Sequence, residues 1–406
     1  MGPAWLLVGF LWVCYFLNHA DRQVVYTLFP ALQKEFGFSN QVLGLTGALF
    51  LWVYGLCSPA AGIVGDRYSK PVLAVASLFI WSFFTALSGL SPAGGFLLAC
   101  RALLGVSESI FMPVAATLIA NAHGPETRSK AIALFASSQL VGVAAGGSLS
   151  GYIAERSSWR ASFWLLGAVG MLFAIPLWLF LRSLPEHLRM DRPAGRGANW
   201  RDFLNLFRIP MLRVTTVFVA IATFSIFLVY TWLPTFLYDK FELGLAKAGF
   251  EASTFPQIGT ALGLLAGGAL ADRLVKRWAA ARFWVVVAGF AFTAPCIYWI
   301  GAAPTLELTR IASMAFGFSF GFITANQVAC AYEVVPPDLR ASTVGVLNLT
   351  GATVSGFAPY LGGLSRGTIG VDRLMTLAAI MLLGAGLAVV YGIYRHFDRD
   401  RRLAEA

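Results

Sequence analysis

Four charged residues in the first half of this 406-residue chain lie well inside stretches long and apolar enough to cross a bilayer. Asp21 and Arg22 interrupt the run from Trp5 to Phe29, within Asn18-His19-Ala20-Asp21-Arg22, and Arg101 and Glu108 fall in the run 95–121. A charge at membrane depth costs ~2.5 kcal/mol or more unless it is paired or faces a water-filled cavity, so such residues mark a substrate or ion path. A purely structural ion pair is the plainer alternative. Arg101 and Glu108 stand seven residues apart, two turns and about 10 Å of rise, too far to pair well with each other. Asp21 and Arg22 point about 100° apart around their helix and so face different surroundings. A consistent arrangement pairs Asp21 with Arg101 and leaves Arg22 toward a cavity, within reach of Glu108.

The chemistry of such a set is charge compensation. The four charges sum to zero, and an arriving carboxylate would leave them net negative, which a low dielectric penalises. A proton taken up by one acid as the anion binds restores neutrality. Arginine stays charged and grips a carboxylate through two parallel hydrogen bonds, which makes Arg22 the anion clamp. Glu108 is the expected coupling acid, with Asp21–Arg101 a second, gating-linked pair that also titrates. His19 lies two positions before Asp21 and is either a satisfied structural histidine or a partner in proton movement.

These residues need helices to hold them. The sequence is 58% hydrophobic and only 12% charged, the composition of a multi-pass membrane protein. Spanning stretches fall at 5–29, 41–64, 71–90, 95–121, 131–154 and 161–182, then at 211–238, 248–271, 281–301, 304–331, 341–364 and 371–394. The expected fold class is therefore all-α, with twelve transmembrane helices in two six-helix halves: a bundle at 1–182, a linker at 183–210 rich in Arg, Pro and Gly, a second bundle at 211–394, and a tail at 395–406. No cleavable signal is evident. The net charge of +10 reads as topology and not as nucleic-acid binding: 20 of the 30 basic residues fall after even-numbered spans or in the tail, against 7 on the opposite side. That places both termini in the cytoplasm, with anionic lipids as partners. The five cysteines (Cys14, Cys57, Cys100, Cys296, Cys330) all lie in apolar stretches and read as small buried hydrophobes.

The halves repeat. Gly62, Asp66, Arg67 and Lys70 end the second span, and Gly268, Asp272, Arg273 and Arg277 end the eighth, with Asp272 lying 206 residues after Asp66. Arg101 is followed at 209 residues by Arg310, and Arg128 at 212 by Arg340. Duplicated six-helix blocks are the mark of a transporter whose halves move about a central site. The Gly-x-x-x-Asp-Arg-x-x-Lys form at 62–70, with its copy at 268–277, resembles the best-known motif of the major facilitator superfamily, and the resemblance covers essentially the whole chain. These loop residues are then conformational gates, the glycine allowing close helix packing.

In detail the chain is similar to the anion:cation symporter branch, which carries sugar acids and other organic anions, mostly with protons. The matching residues are Asp21-Arg22, Arg101-x-x-x-Gly105-x-x-Glu108, Ser138-Gln139 with Gly142, Asn348, and Trp232-Leu233-Pro234-Thr235. Members of that branch often carry Asn-Tyr before the Asp-Arg pair, where this chain has Asn18-His19. Gln139 and Asn348, from opposite halves, suit the hydroxyls of a sugar-sized ligand, and Tyr54 and Tyr230 add hydroxyl contacts; helix–helix hydrogen bonding is the plainer role for all four. Spinster-type lipid transporters share the Asp-Arg and Glu placement and imply a lysolipid or amphipath as the alternative cargo. A drug exporter or a non-transporting sensor on this fold fits less well.

No metal-ligand spacing, catalytic constellation or phosphate-binding nucleotide loop is present in the sequence, so no cofactor is expected beyond a coupling proton, and no ATP hydrolysis. The expectation is a monomeric secondary transporter of a bacterial inner membrane, moving an organic anion inward with protons.

Overall fold

In the computed structural model, residues 2–185, 206–336 and 339–405 are described, and among them the chain is helical with no strand. Most of the linker expected at 183–210 lies outside the described residues. The elements are α1 (Pro3–Thr27), α2 (Phe29–Phe36), α3 (Asn40–Arg67), α4 (Lys70–Gly89), α5 (Gly94–Ala122), α6 (Pro125–Arg156) and α7 (Trp159–Ser183). They are followed by α8 (Pro210–Lys240), α9 (Leu245–Leu274), α10 (Ala281–Ala302), α11 (Leu306–Tyr332), α12 (Arg340–Arg366), α13 (Val371–Gly392) and α14 (Asp398–Glu405), the last two joined by a π turn at Ile393–Phe397.

Local chemistry sets many of the boundaries. Proline stands in the first turn of α1, α2, α4 and α6, where its missing N–H costs nothing. Ser39, Ser158 and Thr305 cap α3, α7 and α11, their hydroxyls accepting from the N–H groups of Val42, Ala161 and Leu308. Gly37 closes α2 at φ 63°, a left-handed position that suits glycine.

Eleven of the described helices are long and apolar enough to cross a membrane. The remaining expected span, 341–364, forms α12, but Ser342, Thr343, Asn348, Thr350, Thr353 and Ser355 make it more polar than its fellows. The expected tail is no loose end either. Asp400 is almost fully buried, its Oδ2 accepting from the Met211 N–H at 2.8 Å in the first turn of α8, while Oδ1 accepts from Arg399. The short C-terminal helix thus caps α8.

Two compact units divide the chain: one within Met1–Gly195 and Pro234–Thr254, the other within Arg196–Leu233 and Phe255–Ala406. In the first, α1 packs along α6, α3 along α5, and α4 along α5 and α7. In the second, α10 packs along α11 and α13, and Trp232 of α8 donates to the Pro359 carbonyl of α12 at 3.1 Å. The contact between second and fourth helices recurs as well. A β-carbon on Gly105 would lie 2.7 Å from the Phe50 carbonyl oxygen, and one on Gly317 would lie 2.0 Å from that of Pro256. Phe50 and Pro256 are 206 residues apart, and Gly105 and Gly317 are 212 apart, so the repeat seen in the sequence is a repeat of packing.

Gly317→Val should therefore lower the melting temperature of the purified protein markedly, since overpacking costs about 1–3 kcal/mol. Gly345→Ala, at a position in α12 where a β-carbon meets nothing within 4 Å, should leave it unchanged or raise it. A thermal denaturation series on the two variants checks both.

Candidate functional site

Helix α1 carries its polar residues inward: Asn18, His19, Asp21 and Gln23 are buried, and only Arg22 of that run keeps some exposure. The helix is seated tightly against α6. Trp12 donates its indole N–H to the Ser137 hydroxyl at 3.1 Å, and a β-carbon on Gly146 would lie 2.4 Å from the Ala20 carbonyl oxygen, next to the Asp-Arg pair. That close approach leaves α1 little freedom to turn its charges elsewhere.

Arg22 donates through Nε to Glu108 Oε2 at 2.8 Å, and the two side chains are 15% and 0% exposed. This is the contact that the spacing favoured. The guanidinium also lies 4.9 Å from the Phe50 ring and 4.8 Å from the Tyr54 ring, a cation–π cradle made by residues four apart on α3. Glu108 takes the Nε edge, and the terminal nitrogens of Arg22 make no hydrogen bond among the described residues. Tyr15, one and two turns before His19 and Arg22, stacks on Phe135 at 4.6 Å and meets the His19 ring edge-on at 4.6 Å. A phenol therefore stands beside the His19 imidazole.

The expected Asp21–Arg101 ion pair does not form. Asp21 Oδ2 accepts from the Thr85 hydroxyl of α4, while Arg101, fully buried, donates Nε to the Thr46 carbonyl at 3.4 Å and lies 5.0 Å from the Phe50 ring. Each charge has a nearer partner on a different helix, α4 for the acid and α3 for the base. Phe50 is consequently flanked by two guanidiniums. The copy of Arg101 in the second unit, Arg310, also stacks on a phenylalanine (Phe255, 4.9 Å), but there the side chain is 28% exposed and paired with Glu307.

Several buried polar atoms have no hydrogen-bond partner among the described residues: both amide atoms of Asn18, His19 Nε2, Asp21 Oδ1, both terminal nitrogens of Arg101 and Glu108 Oε1. Such groups cost about 1–3 kcal/mol each when left unmet, and more when charged.

The other expected residues separate. Gln139 is half-buried on α6 in the first unit. Asn348, exposed on α12, and Tyr230, beside Gln257 and Thr260, belong to the second unit. Among the gating residues, Arg67 is exposed and Lys70 buried at the α3–α4 junction, and the side chain of Asp66 lies outside the described residues. A β-carbon on Gly62 would meet nothing within 4 Å among the described residues, so the close packing expected at that glycine is not seen among them. Arg273 is exposed, whereas Asp272 pairs with Arg282 Nη2 at 2.7 Å. Arg282 also meets Glu333 through Nε at 3.2 Å and Asn326 through Nη1 at 3.4 Å.

Sequence reasoning missed Phe50, Thr85, Tyr15 and Arg282. Phe50 is four before Tyr54 and Tyr15 seven before Arg22, spacings that share a helix face, so both were within reach. Thr85 belongs with Ser77 and Ser88 to a buried hydroxyl stripe on α4, a fainter signal.

Apolar helices of spanning length around a buried arginine and carboxylate define an integral membrane protein with a charged centre. The chain belongs to the Major Facilitator Superfamily, whose sequence profile matches residues 11–359. It is 26% identical to the hexuronate transporter of Bacillus subtilis over 94% of this chain and 92% of that protein. It is 24% identical to the D-galactonate transporter of Escherichia coli, covering 94% of each. A bacterial homologue of the human lysosomal transporter Spinster superposes with a TM-score of 0.80 at 19% identity, over 100% of this chain and 98% of the other.

Glu108→Ala should destabilise the protein by about 3 kcal/mol, by leaving the Arg22 charge without its carboxylate. The double variant Arg22→Met with Glu108→Met should recover most of that loss. A double-mutant cycle of melting temperatures in detergent measures the difference.

Proposed function

We propose that this transporter carries a small organic anion of the sugar-acid class together with protons, by alternating access. The observation that supports this most directly is the Arg22–Glu108 pair, in which the arginine is held by one edge and keeps its other edge for a carboxylate. The hexuronate and D-galactonate cargo named for two relatives points to the same chemistry.

In this reading the anion docks on the terminal nitrogens of Arg22, with Tyr54 and Gln139 offering polar contacts to its hydroxyls. Its negative charge competes with Glu108 for the guanidinium. Glu108, weakened in its hold and shielded from water, takes a proton, and the centre returns to neutrality. Asp21 forms a second proton station. The Thr85 hydroxyl lies within reach of both Asp21 Oδ2 and the Trp81 carbonyl, the latter at 2.9 Å, and has one proton to give. Both contacts are satisfied together when Asp21 is protonated and donates to Thr85, which in turn donates to Trp81. Thr85 is thus a positioning residue for Asp21, and Arg101 supplies the compensating charge nearby.

The loop residues Gly62, Asp66, Arg67, Lys70, Asp272 and Arg273 act as conformational gates. The protein works as a monomer in a bacterial inner membrane with both termini cytoplasmic, takes its substrate inward, and uses no cofactor besides the proton.

The test is uptake of D-galactonate or a hexuronate into proteoliposomes with an imposed inward proton gradient. Wild type should accumulate substrate, faster at acidic external pH, and Arg22→Gln should lose binding and transport. Glu108→Gln should keep counterflow exchange while losing gradient-driven accumulation. Thr85→Val should shift the pH profile of uptake more than it lowers maximal exchange. Absence of uptake for every sugar acid, together with movement of a lysophospholipid, would overturn the reading.

A further inference from the structure

The second unit holds a cavity of about 470 Å³ at the end that carries the C-terminal helix, remote in sequence from the charged centre of α1 and α5. Its charged wall is Arg282, Glu333, Arg340 and Arg401, drawn from α10, the end of α11, the start of α12, and α14, with the Tyr332 ring beside them. We propose that this cavity binds a phosphate monoester, either as a soluble metabolite or as the headgroup of a lipid.

The donor inventory supports an oxyanion. Arg282 is spent, because its three nitrogens meet Asp272, Glu333 and Asn326. Arg340 is not: one terminal nitrogen reaches the Tyr332 carbonyl at a long 3.4 Å, and its guanidinium lies 5.3 Å from the Tyr332 ring, leaving a fork of donors toward the cavity. Arg401 lines the same cavity from α14, whose place is fixed because the neighbouring Asp400 anchors it to α8, and its charge already acts on Glu333. Two guanidiniums from separate helices converging on one space suit the tetrahedral face of a phosphate. The volume far exceeds a bare ion, and Val275, Ala279 and Val335 give an attached body an apolar wall.

Charge accounting favours a dianion. Asp272 and Glu333 on Arg282 leave one negative charge, and Arg340 and Arg401 add two positive ones, so a bound dianion leaves one excess negative charge. Glu333 is the group that can absorb it. Its Oε2 is buried without a partner, and burial pushes its carboxyl up to about 7 against the pull of Arg282 and Arg401. Cys330, one turn back on α11, is the other titratable group in its field. The protonated Glu333 then offers a hydrogen bond to the phosphate.

The experiment is calorimetric titration of the purified full-length protein in neutral detergent with glycerol 3-phosphate, paired with native mass spectrometry from nanodiscs containing phosphatidic acid or only phosphatidylcholine. Saturable binding is expected in at least one arm, and which arm identifies the source of the phosphate. Arg340→Gln and Arg401→Gln should each weaken it tenfold or more, with Arg340→Lys intermediate, and melting temperatures confirm that the variants fold. Arg22→Gln should bind as wild type does, which separates this site from the transport centre. No saturable binding in either arm, unchanged affinity in both arginine variants, or loss of binding in Arg22→Gln overturns the proposal.

Discussion

The 2.8 Å bond between Arg22 Nε and Glu108 Oε2 ties α1 to α5 with charges that the surrounding apolar helices cannot solvate. Away from water such a pair is strong only while both members are present and aligned, and anything that breaks it must bring replacement charge or a proton. The rest of the first unit is arranged to meet that requirement. Gly146 lets α6 press on α1, α3 lays Phe50 and Tyr54 against the guanidinium, and α4 presents Thr85 to the adjacent acid. The helices are spacers that fix how far each charge stands from its partners.

The duplicated halves put the same packing to different uses. Gly105 and Gly317 bring their helices together in the same way, and Arg101 and Arg310 each lie over a phenylalanine of the preceding repeat-related helix. In the first unit the arginine is sealed from solvent, and its charge is felt across the centre. In the second the copy is only partly buried and is neutralised by Glu307, and the dense charge network has moved to the helix ends, around Arg282. Duplication supplied a scaffold, and burial then decided which copy kept a costly charge.

Hydropathy and the spacing of charges already outlined most of this. Spans, repeat and the Arg22–Glu108 contact follow from one-dimensional information, because helical periodicity converts sequence separation into direction and rise. Asp21–Arg101 was misjudged for a physical reason: spacing along two helices says which groups face inward, but not which of several inward neighbours lies nearer. Thr85 and the Thr46 carbonyl are uncharged, so charge matching could not find them. Arg282 was hidden differently, since as one of many basic residues near a helix end it read as a topology signal, and only the fold reveals that three of its nitrogens are committed. The polarity of α12 was visible in its hydroxyl residues, yet its length concealed how far it departs from its fellows.

The Asp400 contact with the first turn of α8 has a topological meaning. The first and last helices described for the second unit meet at the hydrogen bond from the Met211 N–H to Asp400 Oδ2, so the described backbone of that unit starts and finishes at nearly the same point. Domains whose ends lie together tolerate re-cutting of the chain. Joining residues near 206 and 405 by a short linker and opening a helix–helix loop elsewhere would yield a circular permutant of the stretch 206–405 in which this cap becomes an internal turn.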